Sequence, residues 1–197
     1  MNTQNLCTKQ KIIAAAKKLF VAGGYNGTSI RDIAKASDVQ TSLIYHYFQN
    51  KTCLWKHVKE SFIAQNDNFS FSPIMEAPSF EDFIAELVSI RFNFFKQNHD
   101  MLRMLDWQRL EDQGEKLIGV TNSKNLGTWE NLEKKIYQFQ TEGSVNRDLS
   151  PRHILFMLSG AIFGPFLRTG FSELPSKEEE GKYINMLVKS LISAFKA

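Results

Sequence analysis

Thr41, Ser42, Tyr45 and His46 are spaced so that a helix would bring them onto one face. Two hydroxyls, a phenol and an imidazole shown together to solvent are hydrogen-bonding groups, and Lys51 stands uncovered beside them. Such a surface is built to touch something polar. The elements that would present it are two short helices joined by a tight turn. Ile30, Ile33 and Ala34 hold the first helix down, and Val39, Ile44 and Phe48 hold the second. This is the pattern of a helix-turn-helix over residues 29–48, whose second helix enters the major groove of DNA.

Charge agrees with that partner. The net charge of +3 is unremarkable, but its distribution is not. Residues 1–60 carry nine Lys and Arg against three acids, and the remainder carries 15 against 18. The basic third of the chain is the third that holds the helix-turn-helix, as phosphate binding requires.

Other chemistries find little support. His46, His57, His99 and His153 lie in separate segments without a second ligand at metal spacing, and no nucleophile elbow, P-loop or dinucleotide fingerprint occurs. The chain is therefore read as a non-enzyme without cofactor or metal. Cys7 and Cys53 lack paired spacing and fit free thiols in a reducing compartment. Met1–Gln10 has no apolar run, and the longest greasy stretch, Ile154–Leu167, is 14 residues interrupted by Gly160, Gly164 and Pro165. That is too short for a bilayer span, so a cytoplasmic protein without membrane contact is expected.

Helical periodicity recurs throughout and strand patterns are nearly absent, which gives an all-α fold. A first helix over Thr8–Ala22 ends at Gly23-Gly24. Ser29 with Asp32 makes a capping-box start, Ser37-Asp38 is the turn, and Asn50 caps a fourth helix. Residues 66–79 break the pattern. The expected division is therefore a DNA-binding domain over 1–65 and an antiparallel helical bundle over 66–197. Within the bundle, helices are expected from Ser79, over Asn98–Leu110, over Leu126–Phe139 with Gly143 closing it, from Pro151, and over Ser176–Phe195.

These N-terminal residues resemble the TetR/AcrR family of bacterial transcriptional regulators. The resemblance is carried by Ile12-x-x-Ala15-Ala16-x-x-Leu19-Phe20, Gly24-Tyr25-x-x-Thr28-Ser29-Ile30-x-x-Ile33-Ala34, Val39, and Tyr45-His46-Tyr47-Phe48-x-x-Lys51-x-x-Leu54. It covers about Thr8–Phe62. Beyond that the chain is similar only in outline, as in Arg103-Met-Leu-Asp-Trp107. The chain departs from the family pattern in three places. Ser37-Asp38 replaces Ala-Gly, and Asp tolerates the left-handed turn. Gln40 stands where Ser often caps, so either Thr41 takes the cap or the helix starts loosely. Leu43 stands where a small residue is common, and either meets a thymine methyl or packs at the domain edge.

The resemblance implies base reading by Arg31, Gln40, Thr41, Ser42 and Tyr45. It implies phosphate anchoring by Ser29, His46, Tyr47 and Lys51, with Tyr45 and Tyr47 alternatively serving as packing residues. It further implies a homodimer on double-stranded operator DNA, acting as a repressor that a small apolar or aromatic effector releases. Sixteen phenylalanines favour such an effector, with Phe92, Phe95, Arg103, Met104, Trp107, Trp129 and Phe163 as candidate lining. The alternative is a DNA-binding protein of this fold without an effector, controlled by a protein partner or acting architecturally.

The dimer interface is expected on the last two helices, because Ile154–Leu167 is apolar on more faces than one chain covers. Ile162 and Leu191 are its expected probes, unless they are core. The fourth helix is expected to bridge the domains and carry the effector's signal.

Overall fold

A computed structural model describes residues 3–64, 70–111, 129–169 and 176–197, and all of the fold below refers to these. They form ten helices, α1 Thr3–Gly23, α2 Ile30–Ser37, α3 Thr41–Phe48, α4 Lys51–Ala64, α5 Ser72–Glu76, α6 Phe80–Gln97, α7 His99–Leu110, α8 Trp129–Thr141, α9 Pro151–Thr169 and α10 Lys177–Phe195. The all-α expectation holds. An isolated antiparallel bridge between Val145 and Lys196 ties down the C-terminal end.

The chain divides into two compact units, residues 1–67 with 98–122, and residues 68–97 with 123–197. This differs from the expected split at residue 65, because α7 packs on α1 inside the first unit. Met101 and Met104 of α7 are buried. The indole N–H of Trp107 donates to the Val21 carbonyl at 3.2 Å.

Aromatic packing forms the centre of the first unit. Phe20 meets Trp55 edge-on at 4.9 Å, and Tyr25 meets the same indole at 5.7 Å. Ile12, Ala16, Ile33, Ile44, Phe48, Leu54, Val58 and Phe62 fill the space around them. These are the apolar positions whose spacing defined the helices, so the period and the burial agree.

The second unit is a helical bundle with α6 at its centre, packed against α5, α9 and α10, and with α8 against α9. Phe80, Phe83 and Phe139 pack together at its heart, with Leu87, Ile136, Leu158, Ile162 and Phe195 buried beside them. Gly143, at φ +82°, closes α8. The Gly143 amide reaches the Gln140 carbonyl and the Ser144 amide reaches that of Phe139, the paired bonds of a Schellman end.

The expected interface probes Ile162 and Leu191 are core residues, 0% and 7% exposed. Exposed apolar side chains on the last two helices are instead Phe156, Met157 and Met186, each 56% exposed. Among the described residues, no helix is long and apolar enough to cross a membrane.

Candidate nucleic-acid interface

Local bonds within a few residues build the helix-turn-helix. The Ser29 hydroxyl accepts from the Asp32 amide at 3.1 Å, and the Asp32 carboxylate accepts from the Ser29 amide at 3.2 Å. This reciprocal capping box satisfies two amides that the helix start would otherwise leave open. Bonds from the Ser29 hydroxyl and amide hold the Asp32 carboxyl below its usual pKa.

Asp38 ends α2 in the left-handed conformation, φ 53° and ψ 50°. The turn thus survives the loss of glycine, as expected of Asp. Gln40 occupies the N-cap of α3 and makes no side-chain cap bond, and Thr41 lies inside the helix. The recognition helix therefore starts uncapped, and its first amides stay open to water or phosphate.

Ile44 and Phe48 anchor α3. Gln40, Thr41, Ser42, Tyr45 and His46 are exposed, as are Ser29 and Arg31 beside them. Tyr45 is 52% exposed. Seven of the nine expected contact residues are thus exposed. Tyr47 is half-buried, with His46 and Phe48 at 5.5 and 6.1 Å from its ring. Leu43 is also half-buried.

Lys51 differs from the uncovered side chain that the sequence suggested. Its ammonium donates to the carbonyls of Tyr25 at 2.9 Å and Thr28 at 3.1 Å, and lies 4.1 Å over the Tyr25 ring. Burial lowers its pKa, and the nearby Glu111 carboxylate opposes that shift. Two of its three donors are engaged inside the protein, which leaves one further donor. Asn50 caps α4 as expected, its side-chain oxygen accepting from the Cys53 amide at 2.8 Å.

A residue that sequence reasoning missed lies just past α3. Gln49 has φ 63° and ψ −48°, and the Asn50 amide reaches back to the Phe48 carbonyl at 2.6 Å. That is a γ-turn of the positive-φ kind, a strained form. Nothing in the residue type Gln signals it.

The candidate effector residues fall in both units. Phe95 and Phe163 pack at 4.4 Å, and Phe166 joins Phe92 at 5.2 Å and Phe95 at 6.1 Å, all within the second unit. Trp129 is 39% exposed and packs on Phe156 at 5.7 Å. Arg103, Met104 and Trp107 belong to α7 and hence to the first unit, where Met104 is core and Arg103 is exposed. Helical period placed all seven on apolar helices, but it could not say which helices pack together.

Among the described residues, no group of three His, Cys, Asp or Glu is placed to hold a metal ion.

A buried three-helix core that presents an open polar helix, joined in sequence to a second helical unit, defines a helix-turn-helix regulator. Comparison with known proteins gives the family. The family model described as "Bacterial regulatory proteins, tetR family" matches residues 12–58, and that described as "Tetracyclin repressor-like, C-terminal domain" matches residues 84–182. The chain belongs to the TetR family of DNA-binding transcriptional regulators.

Among curated relatives, "Probable HTH-type transcriptional regulator YttP" of Bacillus subtilis (strain 168) is 27% identical over 171 residues, covering 82% of this chain and 78% of that protein. The biofilm operon icaADBC negative transcriptional regulator IcaR of Staphylococcus aureus is 27% identical over 179 residues, covering 88% and 90%. FadR of Bacillus subtilis, solved in complex with stearoyl-CoA, aligns with a TM-score of 0.70 at 20% identity, covering 93% of this chain and 97% of that one. At that identity the last likeness establishes the fold alone.

Proposed function

We propose that this regulator is a cytoplasmic homodimeric repressor that binds a pseudo-palindromic operator and is released by an apolar or aromatic effector. The observation that carries the reading is the open face of α3. Gln40, Thr41, Ser42, Tyr45 and His46 are exposed together on a helix pinned by Ile44 and Phe48. Arg31 can fork onto guanine, Gln40 can pair with adenine, and the Tyr45 ring can meet a thymine methyl. Ser29, His46, Tyr47 and the remaining donor of Lys51 would hold phosphates.

Repression is supported by the relative IcaR, a negative regulator. An apolar effector is supported by the aromatic group Phe92, Phe95 and Phe163 in the second unit, and by a fold neighbour solved with an acyl-CoA. Two-fold assembly is supported by Phe156, Met157 and Met186 standing exposed on α9 and α10. At Gly160 and Gly164 an added Cβ would meet nothing within 4 Å, so another helix has room to approach.

The test is selection of duplexes from a random-sequence library by the purified protein. The selected site should be pseudo-palindromic, and affinity should fall steeply with salt as bound protein displaces counterions. Arg31→Ala and Tyr45→Ala should relax sequence preference, at about 1–3 kcal/mol per lost base contact. A protein with no salt-dependent DNA binding would overturn the reading. For the effector, acyl-CoAs and free fatty acids are the first probes. By linkage, a true effector loses affinity on operator addition by the factor it takes from the operator.

A further inference from the structure

The turn between α1 and α2, residues Gly24–Thr28, is held by two charged side chains. The Lys51 ammonium donates to the carbonyls of Tyr25 and Thr28. The Glu111 carboxylate accepts from the Asn26 amide with both oxygens, at 3.1 and 3.2 Å. Cation on carbonyls and anion on amide match the polarity of the peptide groups they hold.

Glu111 follows the last residue of α7, and Trp107 one turn earlier completes the grip. Gly24 has φ +72°, and a Cβ built there would lie 2.8 Å from the Trp107 ring and 2.3 Å from a Glu111 oxygen. The turn is thus shaped to receive α7.

We infer that Glu111 is a positioning residue for DNA reading, because its bond to the Asn26 amide fixes the turn from which α2 and α3 are presented. The inference rests on the DNA-binding reading above. Ser29, the cap of α2 and an expected phosphate anchor, is only three residues beyond Asn26. A tilt of this turn moves α2 directly, and α3 follows through its packing on α2. α7 lies within the C-terminal family match, although it packs within the DNA-binding unit. It is separated from α6 of the second unit by Asn98 alone. Sequence inside the C-terminal family match therefore holds this turn, through the Glu111 carboxylate and the Trp107 ring.

The experiment uses the full chain and the duplex that the wild type selects. E111A should lose about tenfold in affinity for that duplex, the order expected for a charge-assisted hydrogen bond. It should keep its affinity for random-sequence DNA. E111Q retains an acceptor oxygen and should recover most of the loss. Hydrogen exchange of the Asn26 amide should be slow in the wild type and fast in E111A, a readout independent of DNA.

Equal operator affinity in E111A and wild type would overturn the inference. So would equal loss on selected and random duplexes, no recovery in E111Q, or an Asn26 amide that exchanges equally fast in both proteins. A wild type that selects no duplex would overturn the DNA-binding reading itself, and that failure is seen before any variant is made.

Discussion

Lys59 Nζ donates to Gln108 Oε1 at 2.7 Å, joining α4 to α7 inside the first unit. The side chain is only 2% exposed. Burial, helped by the like charge of Lys56, lowers its pKa from 10.5 to about 8. In the unfolded chain Lys59 keeps its proton up to about pH 10.5, whereas the folded protein sheds it near 8. Between those values the unfolded state binds more protons, so stability rises with pH. The measurement is urea denaturation of wild type and Lys59→Met across that window. The wild type should gain relative to the variant as pH rises from 8 to 10.5, and a constant difference would reject the assignment.

Gly24→Ala tests the α7 contact by sterics. An alanine there meets both a positive φ and the Trp107 ring. The combined strain and overpacking should cost about 2 kcal/mol or more. Gly143 shares the positive φ, yet a Cβ added there would have nothing within 4 Å. Gly143→Ala should therefore cost about 1 kcal/mol, from backbone strain alone. Equal losses at the two sites by thermal or urea unfolding would contradict the packing at Gly24.

Gln49→Gly should stabilise the free protein by about 1 kcal/mol, because glycine removes the strain of the γ-turn and loses part of that gain to its unfolded-state entropy. Gln49→Ala keeps the strain and should leave stability nearly unchanged. If both variants behaved alike, the turn would not be strained in solution.

Lys51→Ala should act twice. Without DNA, stability should drop by about 1–2 kcal/mol, since the Tyr25 and Thr28 carbonyls lose their donor. With DNA, the salt dependence should flatten, and the selected duplex should lose more than random sequence because Lys51 holds the same turn as Glu111. A variant of full stability with reduced DNA affinity would mean that the carbonyl bonds contribute nothing.

Assembly can be tested at the exposed and buried positions of the same helices. Phe156→Glu, Met157→Glu and Met186→Glu should yield folded monomers by sedimentation, because each side chain is open in the single chain. Ile162→Glu should instead unfold the second unit, since it buries an unpaired carboxylate in the core. Folded dimers from all three surface variants would place the interface elsewhere.

Much of the fold was legible in the sequence because it rests on bonds spanning a few residues. Ser29 with Asp32, Asn50, Ser79, Gly143 and Ser176 each close or open a helix as read, through contacts within the neighbouring turn. Asp38 carries the left-handed turn for the same local reason. The apolar period likewise marked the buried faces of α2 and α3, and so left their polar face identified. The single-turn helix α5 escaped because five residues show no period, and Pro73 reads as a break.

Tertiary packing decided the rest. Periodicity shows that Met104, Trp107, Ile162 and Leu191 belong to apolar faces, but a hydrophobic stripe carries no label for its mate. Burial is non-directional, so α7 could satisfy its stripe on either unit, and only the packed chain puts it on α1. The same holds for Lys51, whose carbonyl partners lie 26 and 23 residues away. Chemistry fixed within a turn of helix was written in residue order, whereas contacts between distant segments depend on how the cores pack.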